Sequence, residues 1–285
     1  MSGFSYMQRA CIGKPATGGR AARGRHFALP AATMPAADLC ALRRLGTMPA
    51  PDYSNEFQAM VNDSRFGIIS IVGGTGALGG GLARRWAQAG IPVIIGSRDA
   101  VKAEAAAGDL RKVFPGANVR GLSNLEAARE AEVVVLTVPF SHQRPTLEEI
   151  RAGLPGKILV DTTVPLLPPR VARVQLPPEG CAALIAQQLV GEHTTVVAAF
   201  HNVSADSMQS DDELDCDVLV TGNKAEAREI VVGLAKAAGL RAWHAGSLEN
   251  AAAAEALTSV LIFMNKRYGG LHTGIRITGI ADDAS

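Results

Sequence analysis

The chain has 285 residues, enough for about two domains, and 47% of them are hydrophobic, which excludes a disordered protein. The formal net charge of +1 combines a basic excess in residues 1–66 with a slightly acidic remainder, so the larger part offers no broad surface for nucleic acid. The four cysteines lack paired spacing, which excludes a disulfide scaffold or a zinc ribbon. This cysteine usage fits a reducing cytoplasm, and we expect no bound metal.

Residues 1–65 are predicted to be a leader outside the fold. They are rich in Ala, Arg, Gly and Pro, and no acidic residue occurs before Asp38. Three interpretations remain open: an organelle transit peptide, a basic interaction arm, or a start codon assigned too far upstream. The next segment, residues 66–83, has no charged side chain, but its seven glycines exclude a membrane span, and we expect no membrane partner.

The folded part opens with a predicted phosphate-binding turn. Residues 67–72 are the short apolar run of a buried parallel strand, and a G-x-G-x-x-G motif with a helical pattern follows them. Gly74 is expected to make the tight turn, Gly76 to let the backbone approach a pyrophosphate, and Gly79 to let the helix pack on the strand. The predicted cofactor contacts here are Gly74, Thr75, Gly76, Leu78 and Gly79.

The end of the second predicted strand, residues 91–96, favours NADP over NAD. An NAD site places Asp or Glu about 20 residues after the turn to hold the ribose. This chain has Ser97 and Arg98 there, with Lys102 one helical turn further, and these groups suit a 2′-phosphate. Asp99 is expected to cap the next helix. The alternative is a solvated, basic helix start.

Further apolar runs predict a doubly wound parallel sheet. They span residues 118–121, 132–139, 157–165 and 194–200 and alternate with helical segments, the first of which Ser123 is expected to cap. The run that ends near residue 139 lies at the topological switch point, so Thr137, Pro139 and Phe140 are expected to border the nicotinamide. His142 is either a polar ligand contact or the solvated start of a helix.

His201 and Asn202 follow the last of these strands on the ligand side and are stronger candidates than His142. Residues 206–213 are predicted to form an acidic surface loop without the ligand pattern of a calcium site. Strands at 217–222 and 240–245 and helices at 224–238 and 249–267 then predict a small α+β unit. The predicted domains are a Rossmann domain, residues 66–203, and a C-terminal domain, residues 204–285, with a second ligand in the seam.

No general acid is apparent in the sequence. A Tyr-x-x-x-Lys pair is absent, because Tyr6, Tyr53 and Tyr268 are followed four residues later by Ala, Phe and His. No Ser-His-Asp or Cys-His arrangement is recognisable either. A dinucleotide site without a proton donor indicates hydride transfer between two bound cofactors. In such a reaction no side chain acts as acid or base, and the protein supplies proximity and orientation.

Five motifs together resemble the F420-dependent NADP reductase family: residues 72–79, 95–98, 136–140, 201–203 and 274–279. The resemblance covers about residues 66–280. It implies hydride transfer between NADP(H) and the 8-hydroxy-5-deazaflavin coenzyme F420 as co-substrate. It also implies a Rossmann domain with a small C-terminal domain and assembly as a homodimer or a larger homo-oligomer.

The same resemblance assigns the site residues. It implies that NADP contacts Thr75, Ser97, Arg98 and Lys102. Thr137, Pro139 and Val164 are placed with the cofactor contacts, and Pro139 and Val164 also border the deazaflavin. The deazaflavin pocket is implied to contain Phe140, His201, Asn202, Val203 and Thr258. The alternatives are an NADP-dependent reductase of a small molecule, of the pyrroline-carboxylate reductase or hydroxyacid dehydrogenase type, and a non-catalytic NADP(H) sensor.

Overall fold

A computed structural model describes residues 66–270 and 272–280, so the predicted leader lies outside the described residues. The described strands are β1 Ile69–Val72, β2 Val93–Ser97, β3 Val119–Ser123, β4 Val133–Leu136, β5 Ile158–Asp161, β6 Thr195–Ala198, β7 Asp217–Gly222 and β8 Arg241–His244. The described α-helices are α1 Ala77–Gln88, α2 Ala100–Val113, α3 Asn124–Glu130, α4 Phe140–Ile150, α5 Ala182–Val190, α6 Ala205–Gln209, α7 Ala225–Ala237 and α8 Ala251–Tyr268.

All of these strands join one sheet in the order β3-β2-β1-β4-β5-β6-β7-β8. Strands β1 to β6 run parallel to one another. Strand β7 runs antiparallel to β6, and β8 runs parallel to β7. The direction of winding reverses between β1 and β4, which defines the topological switch point. The predicted Rossmann-type, doubly wound sheet is therefore confirmed.

Helices cover both faces of the sheet. Side chains of a strand point alternately to its two faces, and Ile69 and Ile71 of β1 pack with Leu82 and Trp86 of α1 in a cluster that α2 and α7 complete. Val72 points to the opposite layer, which α3, α4, α5 and the start of α8 supply. All residues of β1 and β4 are buried, as central parallel strands require.

The predicted cap at Ser123 is confirmed. The Ser123 hydroxyl accepts a hydrogen bond from the Glu126 backbone N–H at 3.3 Å, and the Glu126 carboxylate accepts one from the Ser123 N–H at 3.3 Å. This reciprocal capping box satisfies the free donors at the start of α3.

Strands β7 and β8 belong to the same sheet as the Rossmann half. The antiparallel pair Ala198 and Thr221 joins β6 to β7, and α7 and α8 pack on opposite faces of the extended sheet. The residues after 203 thus add two strands to the sheet that β1 to β6 form. In the described part of the chain, no helix has both the length and the apolar character to cross a membrane.

The expectation of a loop over residues 206–213 is wrong in part, because Ala205–Gln209 form α6. The Ser204 hydroxyl caps this helix by accepting the Ser207 N–H at 3.3 Å. Met208 is fully buried against α1 at Gly81, where an added Cβ would lie 2.5 Å from the Cβ of Met208. A buried tertiary contact therefore holds a helix that is too short to be stable alone.

This contact predicts opposite effects at two adjacent glycines of α1. Gly81→Ala should lower the free energy of unfolding by about 1–3 kcal/mol, because the new methyl group also meets the Met208 backbone. The control Gly80→Ala meets mainly the end of the Gln209 side chain, at 3.4 Å. It should be neutral or should stabilise by up to about 1 kcal/mol through helix propensity. Urea unfolding measures both, and equal effects would contradict the packing argument.

Candidate active site

The carboxyl ends of five parallel strands meet in one row. Val72 of β1 pairs with Gly96 of β2 and with Leu136 of β4. Leu136 pairs in turn with Asp161 of β5, and Asp161 pairs with Ala198 of β6. The residues that follow these positions therefore lie side by side at the ligand edge of the sheet. Every predicted site residue except Lys102 and Thr258 lies in the segments that leave this row.

The glycine turn between β1 and α1 has the geometry of a phosphate-binding loop. Gly73 adopts a φ of +79°, and the Gly74 N–H donates to the Ile71 carbonyl at 3.1 Å. An added Cβ would lie 2.8 Å from the Ile71 carbonyl oxygen at Gly74 and 2.5 Å from the Thr137 hydroxyl at Gly79. Side chains are thus excluded where the loop turns and where α1 packs against the strand ends.

The start of α1 is open to a ligand. Gly76 occupies the N-cap position without a side-chain cap, and the first turn of α1 contains no acidic residue. An added Cβ at Gly76 would meet only the Gly73 carbonyl oxygen, at 3.2 Å. Thr75 is exposed, and Leu78 is half-buried. The free N–H groups of this turn and the helix dipole together suit an anionic phosphate.

The end of β2 presents cationic groups while its acidic neighbour is engaged. As predicted, Asp99 caps α2: its carboxylate accepts the Val101 and Lys102 N–H groups at 3.1 and 3.2 Å. Ser97 is buried, whereas Arg98 and Lys102 are exposed. The exposed Asp99 carboxylate also lies 3.7 Å from the Lys102 ammonium, so Arg98, Lys102 and Asp99 together leave a net positive charge, which favours a phosphate over a ribose hydroxyl.

The middle of the edge is mostly apolar. Thr137 is buried and its hydroxyl donates to the Val72 carbonyl at 3.0 Å, so this side chain ties β4 to β1 beneath the glycine turn. Pro139 and Phe140 begin α4, and Val164 follows β5; all three are half-buried. Apolar side chains at two adjacent strand ends suit the faces of flat aromatic rings.

A left-handed residue closes the row beyond β6. Phe200 has a φ of +66°, which is unusual for a bulky side chain. Its fully buried ring packs edge-on against Trp86 of α1, with the ring centroids 6.3 Å apart. This packing holds the strained backbone in place and turns the chain sharply at His201. Strain of this kind is concentrated at functional sites.

His201 is the one predicted site residue with an unsatisfied buried side chain among the described residues. Its side chain is almost fully buried, and neither ring nitrogen meets a partner at hydrogen-bond geometry; the Asp161 backbone lies near enough to oppose in part the effect of burial on the pKa of His201. Burial lowers the pKa of His201 to about 4, so at neutral pH the imidazole offers one N–H donor and one acceptor. Buried polar groups are nearly always paired, so this ring is suited to a polar ligand.

The neighbours of His201 hold its backbone. The Thr258 hydroxyl on α8 donates to the His201 carbonyl at 2.8 Å. The Asn202 amide donates to the Asp217 carbonyl at 2.9 Å, so its side chain joins the wall to β7 and is not free. Val203 is half-buried and lines an adjacent cavity of about 350 Å³. The structure thus places Thr258 at the backbone of His201 and Val203 at the cavity two residues further along the chain.

Two segments form the walls of this cavity: residues 203–216, which contain α6, and residues 272–274. The second segment is held by the fully buried Asp217 at the start of β7. The Asp217 N–H donates to the Ile275 carbonyl at 2.8 Å, and its carboxylate accepts the Ile277 N–H at 2.6 Å. The lining also includes the acidic side chains Asp206, Asp212, Glu213 and Asp215. These carboxylates disfavour a phosphate in the cavity. A phosphate is favoured at the other end of the row, near Arg98.

A buried polar cluster that the sequence patterns did not predict lies beneath the edge. Gln143 of α4 donates to the Asp161 carboxylate at 2.6 Å and to the Thr163 hydroxyl at 2.8 Å. Asp161 is fully buried, and burial raises its pKa to about 6. The polar run 161–163 directly after an apolar strand is the sequence signal for this cluster. The partner residue Gln143, on α4, carries no such signal.

Comparison with known proteins gives consistent results. The model of the family described as "NADP oxidoreductase coenzyme F420-dependent" matches residues 68–165, which contain β1 to β5. The F420-dependent NADP reductase of Methanocaldococcus jannaschii is 39% identical over 221 residues, covering 74% of this chain and 98% of that protein. The enzyme of the same name from Methanothermobacter thermautotrophicus is 42% identical over 222 residues, covering 75% and 96%.

A solved structure from Arthrobacter sp. FB24, assigned by its description to the F420-dependent NADP reductases, has a TM-score of 0.61 to this chain. It is 24% identical and covers 75% of this chain and 100% of its own, which supports the fold. The archaeal reductases match this chain over almost their whole length. The chain belongs to the family of F420-dependent NADP reductases.

Proposed function

We propose that this protein transfers a hydride between NADP(H) and the deazaflavin coenzyme F420. The observation that carries the proposal is the unpaired, buried imidazole of His201 at the same sheet edge as an open phosphate-binding turn. The turn offers a site for the dinucleotide, and the imidazole offers hydrogen-bonding groups to a second ligand. The names of the archaeal relatives agree with this pair of ligands.

In this proposal NADP(H) lies along the strand ends from β2 toward β5. Its pyrophosphate accepts hydrogen bonds from the first turn of α1, next to Gly76 and Thr75. Its 2′-phosphate lies among Ser97, Arg98 and Lys102, where cationic groups face the solvent. The nicotinamide then reaches the apolar stretch after β4 and β5, which contains Pro139 and Val164.

The deazaflavin ring occupies the far end of the row. Phe140 and Val203 contribute apolar contacts, and the neutral imidazole of His201 pairs with a polar edge of the ring. Thr258 and Asn202 hold the backbone that carries this imidazole. When both ligands are bound, the nicotinamide and the deazaflavin supply the hydride chemistry, and no side chain acts as acid or base in the hydride step. The protein contributes proximity and orientation.

We also propose that the protein is a cytoplasmic homo-oligomer. Val260, Phe263 and Met264 are exposed apolar residues of α8 at the spacing of one helix face. Such a face is suited to packing against a second copy of the chain. The free thiols of Cys181 and Cys216 fit a reducing compartment.

Arg98→Ala should weaken NADPH binding and leave NADH binding almost unchanged. The expected loss is about 1–3 kcal/mol, the scale of a charge-assisted hydrogen bond to the 2′-phosphate. Titration of the nicotinamide fluorescence gives both dissociation constants. Lys112→Ala, an exposed cation at the other end of α2, is the matched control. Equal losses for both dinucleotides would refute the 2′-phosphate assignment.

With NADPH deuterated at the transferred position of C4, deuterium should arrive at C5 of the deazaflavin. Direct transfer between stacked rings excludes exchange with water, so mass spectrometry of the reduced product should find the label retained. Hydrogen derived from solvent at that carbon would contradict direct transfer. A folded wild-type protein that binds NADPH but is inactive with F420 would favour a small-molecule reductase or a sensor.

His201→Gln should make the free energy of unfolding less sensitive to acid. The pKa of His201 is about 4 in the folded chain and 6.5 for an ordinary imidazole. As the pH falls from 6.5 toward 4, the unfolded chain binds a proton that the folded chain excludes. The stability contribution of the neutral ring is thus present above pH 6.5 and is lost over this range, by up to about 3 kcal/mol.

Urea unfolding of wild type and variant at pH 7 and pH 4.5 measures this difference. His193→Gln, in which the replaced imidazole is exposed, is the control and should lose as much stability as wild type. A loss of stability in His201→Gln equal to that of wild type would show that His201 is not held neutral in the folded protein.

A further inference from the structure

Glu255 of α8 is a buried carboxylate for which the proposed function has no role. The residue is 1% exposed. Its two carboxylate oxygens accept hydrogen bonds from the Ala182 and Ala183 N–H groups, at 2.7 and 3.1 Å. These are the first two N–H groups of α5, which lack a partner within their own helix. A side chain of the last helix thus caps a helix of the Rossmann half.

Helix α5 depends on this remote cap. Cys181 occupies its N-cap position; its sulfur lies near the Ala183 and Leu184 N–H groups but makes no capping hydrogen bond of ordinary geometry. Serine, threonine, asparagine or aspartate at this position would accept one of the free N–H groups locally. Because the local cap is absent, the position of α5 and the position of α8 are coupled through Glu255.

The capped peptide group is also fixed to the strand ends. Gln143 donates to the Ala182 carbonyl at 2.9 Å and, as described above, to the carboxylate of Asp161. The Ala182 residue is therefore held by Glu255 through its N–H and by Gln143 through its carbonyl. Glu255 thereby attaches α8 to the same framework that carries the end of β5.

One turn further along α8, Thr258 binds the His201 carbonyl. Residues three apart on a helix lie on the same face, separated by about 4.5 Å along the axis. A shift of α8 along its axis or about it would therefore move Thr258 and with it the backbone of His201. The contacts at Glu255 and Thr258 together fix α8 at two points beside the proposed deazaflavin pocket.

Burial makes the ionised form of Glu255 costly, so at pH 7 the carboxyl group is mostly protonated and uncharged. Burial raises its pKa to about 8, although the two N–H donors oppose this, and the neighbouring Asp161 carboxylate raises it further. An apolar side chain would fill the space without this cost but would leave both N–H groups unpaired. A buried carboxyl group that is kept despite this cost is consistent with a need to hold α8 in a fixed position relative to α5.

We propose that Glu255 is a positioning residue for the second substrate: by capping α5 from α8, it sets the position of Thr258 and His201 at the deazaflavin pocket. The inference rests on the proposed function for the identity of that substrate. It predicts that Glu255, although it lies outside both ligand sites, influences the affinity for F420 and the rate of hydride transfer. The affinity for NADPH should not depend on it.

Two variants and one control test the inference. Glu255→Gln keeps the size of the side chain but replaces one of the two acceptor oxygens by an amide NH2, which cannot accept from a helix N–H group. Cys181→Ser combined with Glu255→Gln restores a local cap to α5, worth about 1 kcal/mol, but not the link to α8. Glu249→Gln, an exposed carboxylate just before α8, is the matched control. If Glu255→Gln alone does not fold, the double variant provides the measurement.

The dissociation constants come from quenching of deazaflavin and nicotinamide fluorescence, and the hydride-transfer rate from single-turnover absorbance. In both Glu255 variants we expect the F420 dissociation constant to rise about tenfold and the rate to fall up to about 10²-fold, the effect of a misplaced reactant. The NADPH dissociation constant should stay within twofold. The double variant should regain thermal stability without regaining the rate.

Recovery of both stability and rate in the double variant would overturn the inference, because Glu255 would then serve only as a cap. Wild-type values for F420 in the folded Glu255→Gln variant would overturn it as well. Failure of the proposed function has a different result: wild-type protein would then bind NADPH and neither bind F420 nor transfer a hydride to it.

Discussion

The in-register alignment of the parallel strands is the constraint on which the rest of this structure depends. Val72, Leu136, Asp161 and Ala198 lie in one row across four strands, so each chain segment that leaves the sheet does so beside its neighbours. A slip of one residue in any strand would turn its apolar side chains to the wrong face. The burial of the central strands therefore also fixes the spacing between the glycine turn and His201.

Polar groups at this edge are divided between those already paired and those left for ligands. The hydroxyl of Thr137, the amide of Asn202 and the carboxylate of Asp161 all have partners within the protein. The free groups are the N–H donors at the start of α1 and the ring nitrogens of His201. A rigid, satisfied framework around a few unpaired groups is how a folded chain holds a preorganised site.

Local patterns in the sequence were sufficient to predict most strands, the glycine turn, and the caps at Asp99 and Ser123, because each depends on neighbours in the chain. Helix α6 was missed because Met208 is buried against a helix that precedes it by more than a hundred residues. The left-handed backbone at Phe200 could not be predicted, because phenylalanine rarely adopts this conformation. The link from Glu255 to Ala182 spans 73 residues, and neither residue type predicts the other.

Because β7 runs antiparallel to β6, the amino end of β7, at Asp217, lies on the side of the sheet where the parallel strands end. The two ends of the site are therefore built from different kinds of segment. The dinucleotide end is built from the ends of buried strands. The cavity wall comes from residues 203–216, which contain the short helix α6, and from residues 272–274, which Asp217 anchors. Connecting segments tolerate replacement far better than strands do. A protein engineer who exchanges this wall between relatives would have to carry over α6 with its contact at Gly81, because Met208 joins the wall to the first helix of the dinucleotide half. Such an exchange would let the same NADP(H) site serve different hydride acceptors.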